Sequence, residues 1–515
     1  NKLNNKEEMQ LFVRHLLNDV RALETMLRDD WFETDIMRIG AEQEMFMVDT
    51  TYYKPALIAV EVLKEMKEYE WVGTELAKFN LETNLTPREF TGSCFSDMEK
   101  ENNDQLAIIR KFLENYDAKI ILTGILPTLN KFDLKLDNLT PKDRYYALME
   151  AFNDMLMGSA YELRLQGIDE LLVKHDSPLL EACNTSFQVH MQTTPAKFAK
   201  HYNIAQSLSG PIIALAANSP IVFGRRLWHE SRIALFQQAL DIRTSTEHMR
   251  DRSPRVSFGK GWLNNSILEI YKEDISRFRV IMTGDKYDDS VDLVAKGKVP
   301  KLQALQIHNS TVYRWNRPCY GISDNGKPHL RIENRVIPSG PTVLDEVANA
   351  AFWLGAMTGM DDQYKDITKH ISWEDVRDNF GKAAQFGIDT KFTWLKDKKI
   401  TPAELALTEL IPLAEHGLKL KGVNDADITR YMDVIRGRAD KLMTGARWQL
   451  RAFTSLIKHV TRDEAMSVLT QSIIKNQEQE IPIHKWKAPK IKDLEEYRPG
   501  TLKVEEFMET DLFTV

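Results

Sequence analysis

The sequence predicts an α+β fold, in which a sheet with one polar face is followed by a mainly helical region. Two observations predict this class. Four segments before residue 340 alternate apolar and polar side chains, which is the period-2 pattern of half-buried strands. From about residue 342 the apolar side chains recur at helical spacing instead. We therefore expect a sheet-bearing region at 1–341, a helical region at 342–482, and a linker with a further segment at 483–515.

An amphipathic helix is expected at residues 8–28, before the first strand. Its apolar residues follow helical spacing and would share one face. They are Phe12, Leu16, Leu17, Val20, Leu23 and Leu27.

The first strand segment, residues 39–46, contains two glutamates two positions apart. Side chains i and i+2 of a strand point to the same face, so Glu42 and Glu44 would stand side by side. Two carboxylates this close repel each other unless a proton or a cation lies between them. A hard cation such as Mg²⁺ prefers such oxygen ligands. The alternative is a solvent-exposed pair on an edge strand.

The second and third segments repeat the pattern of polar residues on one strand face. In residues 75–87, Glu82 interrupts an apolar alternation and Glu75 precedes it. In residues 185–193, the side chains of Gln188, His190 and Gln192 would share a face. A single strand histidine is also common as an ordinary core or surface residue.

The fourth segment, residues 330–336, places one carboxylate between two guanidinium groups. Arg331, Glu333 and Arg335 would share a strand face. Alone, this pattern is typical of a cross-strand salt-bridge ladder. Together, the four segments describe a sheet face whose carboxylates, histidine and arginines suit Mg²⁺ and a polyphosphate.

Seven motifs give the chain a resemblance to a known family. In chain order they are IGAEQEMF, ELAKFNLETNLTP, ILTGILPTL, FQVHMQT, LAANSPIVFGRRLWHESR, IHNSTVYRWNRP and LRIENR. With these the chain resembles the carboxylate–amine ligases of the glutamate–cysteine ligase type 2 family, in the glutamine synthetase superfamily. RRLWHESRIALFQQALDIR and YRWNRPCYG are similar to segments of a bacterial subgroup. The resemblance implies a glutamine synthetase-like fold: a curved antiparallel sheet with helices packed on its outer face.

The resemblance also implies roles for individual residues. Arg335 would contact the transferred phosphoryl group and, with Glu333, be catalytic, while Arg232 would hold an amino-acid carboxylate. Residues implied to bind phosphate or substrate are His308, Arg314 and Arg317, on the strand before the Arg-x-Glu-x-Arg element, and Arg331. Implied metal ligands are Glu42, Glu44, Glu75, Glu82, His190 and Glu333. Many relatives carry His-x-His or His-x-Asn in the third segment, so the family position of His190 stays open.

The implied chemistry is ATP-dependent ligation. Transfer of the γ-phosphoryl group of ATP to a carboxylate gives an acyl phosphate, which an amine can displace. This step depends mainly on in-line positioning and positive charge. About two or three Mg²⁺ ions, or Mn²⁺, would neutralise the polyphosphate, and Arg335 would cover the developing charge. Glutamate and cysteine are the family's founding pair, which implies glutathione biosynthesis.

Composition and motifs argue against several other classes. A net charge of −7 with no basic patch disfavours nucleic-acid binding. The longest apolar run, residues 210–224, is too short to span a membrane. The three cysteines form no disulfide framework or zinc spacing and are expected as buried free thiols. There is no P-loop motif. We expect a cytoplasmic enzyme that acts on small-molecule amino acid and amine substrates, either as a monomer or as a homo-oligomer.

The helical region is expected to serve packing and oligomer contacts, because it carries no catalytic pattern. Thr-x-x-acid sequences predict helix starts at Thr140, Thr401 and Thr461. Large aromatic residues are expected in the core. These are Trp353, Trp394 and Trp448.

The last residues resemble a different module. Residues 504–515 are similar to the opening strand of a cystathionine-β-synthase-type (CBS) domain, after a Lys- and Pro-containing linker at 485–499. The alternative is a plain tail. The expected full protein is a ligase with a nucleotide-sensing module.

Three functions remain open from the sequence. The first is an ATP- and Mg²⁺-dependent ligase that forms an amide, by resemblance a γ-glutamyl bond. The second is a ligase for a different acid and amine. The third is a non-catalytic nucleotide-binding regulator, which the clustered glutamates and Arg335 disfavour.

Overall fold

The structure, a computed structural model, describes residues 6–155, 161–175, 178–239, 254–284 and 286–489. The segment at 504–515, predicted to open a CBS-type domain, lies outside these residues, as does most of the predicted linker.

The described strands are short except for the first. They are β1 (Arg38–Asp49), β2 (Val72–Thr74), β3 (Asn80–Asn84), β4 (Arg88–Glu89), β5 (Ala118–Ile121), β6 (Tyr161–Gln166), β7 (Glu170–His175), β8 (Phe187–Thr193), β9 (Ile221–Val222), β10 (Arg225–Arg226), β11 (Val256–Ser257), β12 (Tyr313–Arg314), β13 (Asn316–Ile322), β14 (Pro328–Asn334), β15 (Phe392–Trp394) and β16 (Lys398–Ile400).

The described helices lie between these strands and fill the C-terminal region. They are α1 (Lys6–Arg28), α2 (Ala59–Glu65), α3 (Cys94–Leu113), α4 (Asp143–Met155), α5 (Phe198–Ala216), α6 (Ser231–Ala239), α7 (Ile267–Arg277), α8 (Ser290–Ala295), α9 (Gln303–Ser310), α10 (Val343–Gln363), α11 (Trp373–Phe386), α12 (Pro402–Leu405), α13 (Ile411–Leu420), α14 (Asp425–Lys441), α15 (Gly445–Leu456) and α16 (Arg462–Glu478).

One eight-stranded sheet organises the molecule. Its order is β13-β14-β8-β1-β3-β2, and β4 and β5 also pair with β1. Every pairing in this sheet is antiparallel. The sheet is curved, helices pack on it, and the region after residue 342 is mainly helical. The predicted fold class is therefore confirmed.

The predicted strand segments form β1, β3, β8 and β14, which are neighbours in this sheet. Alternation works as expected: in β1, Met45 is fully buried on the face opposite to that of Glu42 and Glu44. Glu75 is the exception, because β2 ends at Thr74 and leaves Glu75 in the following turn. The connection between β13 and β14 is a hairpin, as Asn325-Gly326 predicts, with Gly326 at a φ of +80°.

The N-terminal helix is confirmed, with one error in its buried stripe. Phe12, Leu16, Val20 and Leu23 are buried, whereas Leu17 is 45% exposed. The predicted stripe was too wide, since adjacent helix positions lie about 100° apart and Leu16 occupies the buried direction.

Two of the three predicted helix starts are confirmed. Thr401 caps α12 through the backbone N–H of Glu404, and Thr461 forms a full capping box with Glu464 at the start of α16. The start at Thr140 is wrong, because α4 begins only at Asp143. Thr140 donates its hydroxyl hydrogen to the carbonyl oxygen of Glu75 instead, at 2.6 Å.

The predicted core residues are buried. Trp353, Trp394 and Trp448 are at most 1% exposed. The three cysteines, Cys94, Cys183 and Cys319, are buried free thiols. None of the described helices combines the length and apolar character that a membrane span requires.

The helical region is bonded directly to the sheet-bearing region. On α16, the Gln477 amide donates to the carbonyl oxygens of Leu122 and Pro341, each at 2.6 Å, and accepts from the Leu122 N–H at 3.1 Å. On α14, the buried Arg438 bonds Asp345 on α10 at 2.8 Å and the Leu215 carbonyl oxygen on α5 at 3.2 Å. Whether residue 341 separates two domains stays a prediction.

Candidate active site

Strand register brings the predicted acidic residues onto one face of the sheet. Glu44 on β1 lies opposite Glu82 on β3. His190 on β8 lies opposite Glu333 on β14, which in turn lies opposite Arg317 on β13. Paired residues of neighbouring strands point to the same face of a sheet, so all five side chains lie on one face.

The first group of potential metal ligands contains Glu42, His190 and Glu333. One ligand atom of each lies within 4.8 Å of the others. The His190 Nε2 atom is 3.4 Å from Glu42 Oε1 and 3.8 Å from Glu333 Oε2. It has no hydrogen-bond partner among the described residues. Burial lowers the pKa of His190, which favours the neutral imidazole that binds metals.

Glu333 is held between two guanidinium groups. Arg335 donates to its Oε1 atom and Arg317 to its Oε2 atom, each at 2.8 Å. Cys319 Sγ also lies 3.4 Å from Oε2. Burial alone would raise the pKa of Glu333, but Arg317 and Arg335 hold that pKa well below its usual range. Glu333 is therefore ionised at any physiological pH.

The second group contains Glu44, Glu75 and Glu82, again with one ligand atom each within 4.8 Å. Glu44 is fixed by the backbone N–H of Ser186 at 2.6 Å and by the Gln188 amide at 2.7 Å. Burial and the Glu75 carboxylate raise the pKa of Glu44 to about 7. The same two causes raise the pKa of Glu82 well above its usual value. Crowded carboxylates of this kind are relieved by a bound cation.

These donor sets fit Mg²⁺ or Mn²⁺. The second group offers only carboxylate oxygens, and the first adds one neutral imidazole nitrogen to two carboxylates. Hard divalent cations take oxygen ligands, and Mn²⁺ accepts imidazole as well. The unpartnered Nε2 atom of His190 is consistent with a ligand position.

Two cavities meet at Glu42. The first, called here the acidic cavity, has a volume of about 250 Å³ and contains all of the second group. Four arginines also line it: Arg144, Arg232, Arg317 and Arg335. The second, called the Arg331 cavity, has a volume of about 380 Å³ and is lined by His190, Arg331 and Arg38 among others. Glu42 lines both cavities.

Two predicted arginines are positioned by protein groups beside these cavities. Arg232 on α6 donates to the backbone carbonyl oxygens of Arg335 at 3.2 Å and Val336 at 2.5 Å. Its guanidinium also lies over the Trp315 ring, 5.8 Å from the centroid. Arg331 donates to His190 Nδ1 at 3.2 Å, and the Nε2 atom of His190 faces Glu42. A neutral imidazole that accepts this bond carries its hydrogen on Nε2, so a metal bound at Nε2 requires the other tautomer and the loss of the Arg331 bond.

His308 and Arg314 are not brought to either cavity. Arg314 on β12 is bonded to the buried Asp274 at 2.6 Å. His308 lies on α9 rather than on the strand that precedes Arg-x-Glu-x-Arg, and its Nε2 atom is 3.2 Å from the Phe278 carbonyl oxygen. The strand placement of His308 is therefore wrong, because that chain segment turns as a helix before β12 begins. Phosphate or substrate contacts of these two residues stay predictions without geometric support.

Sequence reasoning missed several polar residues of the acidic cavity, among them Glu181 and Asn184. Both lie at a short 3₁₀ segment, Pro178–Cys183, just before β8. Burial and the Glu75 carboxylate raise the pKa of Glu181 to about 8. No strand or helix periodicity marks these residues, and only their position immediately before the FQVHMQT motif could have drawn attention to them.

The chain was compared with known families, curated proteins and solved structures. The profile of glutamate-cysteine ligase family 2 (GCS2) matches residues 38–472. No curated protein matches.

Solved structures give weak likenesses. Glutamate–cysteine ligase from Francisella tularensis, solved in complex with AMP, is 11% identical, with 90% of this chain and 92% of that chain covered and a TM-score of 0.46. A bifunctional glutathione synthetase from Pasteurella multocida is 10% identical, with 90% and 55% covered and a TM-score of 0.41. The ligase PafA, in complex with the ubiquitin-like protein Pup, is 8% identical, with 92% and 77% covered and a TM-score of 0.37.

Proposed function

This chain belongs to glutamate-cysteine ligase family 2, and from that membership we propose that it is an ATP- and Mg²⁺-dependent carboxylate–amine ligase. The reaction joins an amino-acid carboxylate to an amine through an acyl phosphate. Glutamate and cysteine are the first pair to consider, with a γ-glutamyl amide as the product.

One observation carries the proposal: two groups of potential metal ligands lie beside arginines on one sheet face. Glu42 belongs to the first group and lines the same cavity as the whole second group. Arg317 and Arg335 line that cavity and are fixed by Glu333. A site for phosphoryl transfer needs carboxylates for divalent cations and guanidinium groups for phosphoryl oxygens, close together and held rigidly.

The role of each residue in the site would follow from its charge. Glu44, Glu75 and Glu82, with Glu42, His190 and Glu333, would hold two or three ions. Mg²⁺, when bound, neutralises phosphate charge and orients the polyphosphate. Arg335 would stabilise the charge that develops on the transferred phosphoryl group, and its pairing with Glu333 fixes it in place. Arg232 would hold a substrate carboxylate at the far end of the same cavity wall.

The test is release of ADP and phosphate from ATP and Mg²⁺, against amino acids added singly and in pairs. We expect release that depends on one acid and increases with one amine, with an equimolar amide product in mass spectra. The Glu346→Gln variant serves as a control for each substitution in the site, because Glu346 is a buried glutamate outside both cavities.

The outcomes separate the alternatives. Release that requires glutamate and cysteine supports a glutamate–cysteine ligase. Release that requires a different acid and amine supports a ligase with those substrates. Nucleotide binding without release for any acid contradicts the proposal and favours a regulator.

A further inference from the structure

The acidic cavity contains buried acceptor atoms that the proposed function leaves without a partner. Among the described residues, Glu181 Oε2, Asn184 Oδ1 and Gln188 Oε1 have no hydrogen-bond donor, and the Asn184 amide nitrogen has no acceptor. All three residues line the cavity. Gln188 is only 3% exposed, and its amide nitrogen is already committed to Glu44. Buried acceptors without donors are costly, so their presence together indicates a ligand that supplies hydrogen atoms.

The number and kind of these atoms define the ligand group. A protonated primary amine has three N–H donors and no acceptor. Glu181 adds a carboxyl group, which a bound ammonium group would hold in its ionised form, and hydrogen bonds between a cation and a carboxylate are stronger than neutral ones. A hydroxyl or an amide would satisfy only part of this set.

The arginines in the lining of the cavity suit the other half of an amino acid. Arg232, Arg317 and Arg335 line the same space and are donors only. A cavity with guanidinium groups and a separate set of acceptors is complementary to a zwitterion. The potential metal ligands of the second group do not include Glu181 or Asn184.

We propose that Glu181, Asn184 and Gln188 form the subsite that binds the ammonium group of an amino-acid substrate. This inference rests on the proposed ligase function and names a part of its substrate recognition. The ammonium group belongs either to the α-carbon of the acid or to the incoming amine.

The experiment uses hydroxylamine, a small and largely uncharged nucleophile, to trap the acyl phosphate. Its nitrogen attacks the acyl carbon, a C–N bond forms, the bond to the phosphate oxygen breaks, and the nitrogen loses a proton to solvent. Hydroxamate formation is measured with glutamate and with glutarate, which lacks the amino group. If another acid is the active one, its own desamino analogue replaces glutarate. A second assay measures KM for cysteine in amide formation.

Glu181→Gln is compared with the wild type and with Glu346→Gln. Glu346 is the matched control, because it is also buried, has an unpartnered Oε2 atom, and lies outside the acidic cavity. If the subsite binds the α-ammonium group, the wild type prefers glutamate to glutarate and Glu181→Gln reduces this preference by about tenfold to a hundredfold. If the subsite binds the incoming amine, KM for cysteine rises by a similar factor and the rate of hydroxamate formation falls less.

Asn184→Ser replaces Glu181→Gln if the latter does not fold. Unchanged discrimination and unchanged KM for cysteine, with an active wild type, overturn this inference and leave the ligase function standing. A loss of Mn²⁺ affinity in Glu181→Gln as large as in Glu82→Gln also overturns it, since the residue would then be a metal ligand. A wild type that forms no hydroxamate from any acid overturns the ligase function and this inference with it.

Discussion

Glu333 lies at the centre of the charged groups of the site. It is fully buried and bonded to Arg317 and Arg335, and it lies 3.8 Å from His190 Nε2. A carboxylate in this setting both orients two guanidinium groups and offers an oxygen to a cation. Its replacement therefore affects stability and chemistry together.

Replacing Glu333 with Gln should abolish turnover while the protein still folds. The amide keeps the shape but directs an NH₂ group at one arginine, so loss of at least about a hundredfold in kcat is expected. The melting temperature should also fall, consistent with about 3 kcal/mol for a broken buried pair. Activity and thermal melts are measured beside Glu346→Gln. Turnover close to wild type in Glu333→Gln would contradict the assignment of the site.

The affinity for divalent cations should rise with pH. Glu44, with a pKa of about 7, and Glu82, with a raised pKa, must lose protons before they bind a cation. Titration calorimetry with Mn²⁺, in buffers of different ionisation enthalpy, should show proton release and an affinity that increases by up to about tenfold per pH unit per proton below pH 7. Glu82→Gln should release fewer protons. An affinity that is constant from pH 6 to 8 would contradict the prediction.

The same pKa shifts set the sign of the stability change in the metal-free protein. The folded state keeps protons that the unfolded chain releases above the ordinary glutamate pKa of 4.5. The contribution of Glu44 and Glu82 to the free energy of unfolding therefore falls as pH rises from 4.5 through 7, and added Mn²⁺ should reverse this fall.

At the scale of elements, the strands were predictable and several loops were not. Period-2 alternation identified β1, β3, β8 and β14, and it placed Glu42, Glu44, Glu82, His190 and Glu333 on one face, because that pattern is local. Sheet order depends on pairings between distant residues and was not predicted; the family resemblance implied only a curved antiparallel sheet. Glu181 lies outside any periodic segment, and the position of His308 depended on a helix-to-strand boundary that alternation does not locate.

Two helices of the C-terminal region cross at glycines. Gly355 and Gly359 on α10 face α13, where Gly417 packs against the backbone of Gly355. A Cβ atom on Gly355 would lie 2.7 Å from the carbonyl oxygen of Ala414, and one on Gly417 would overlap the carbonyl oxygen of Gly355. The contact is between backbones, so no side-chain rotation can relieve an added methyl group.

Gly417→Ala should therefore destabilise the protein by about 1–3 kcal/mol through overpacking. The matched control is Gly381→Ala on α11, where an added Cβ atom meets nothing within 4 Å. That change should stabilise the helix by up to about 1 kcal/mol. Melting temperatures that shift in opposite directions would support the close crossing, and equal shifts would not.

At the scale of the whole molecule, the sheet and the helical region are joined by buried polar contacts. Gln477 makes three hydrogen bonds to backbone groups at Leu122 and Pro341. Arg438 links three helices through Asp345 and Leu215. Sequence composition marked the change from strands to helices at residue 342, but not these contacts, because a glutamine or arginine within a helix gives no signal of its distant partner.

These contacts predict cooperative unfolding of the two regions. Gln477→Met should lower the midpoint temperature of the single calorimetric transition by several degrees. The change leaves buried backbone groups without hydrogen-bond partners, which costs about 1–3 kcal/mol for each group. Asn476→Leu is the control, because the Asn476 amide donates to the Ser472 carbonyl oxygen within its own helix and has no bond to the sheet among the described residues. Two separate transitions in the wild type would support a domain boundary at residue 341 instead.

The Gln477 contact also has a consequence for synthesis of the chain. Leu122 directly follows β5, a strand of the sheet that carries the site, and its backbone groups bond the side chain of Gln477, 355 positions later. During translation this contact stays incomplete until residue 477 has left the ribosome, at least about twenty seconds after Leu122 at ordinary elongation rates. The contacts between this part of the sheet and the last described α-helix therefore form late in synthesis, and a strand edge exposed over that interval favours association with chaperones.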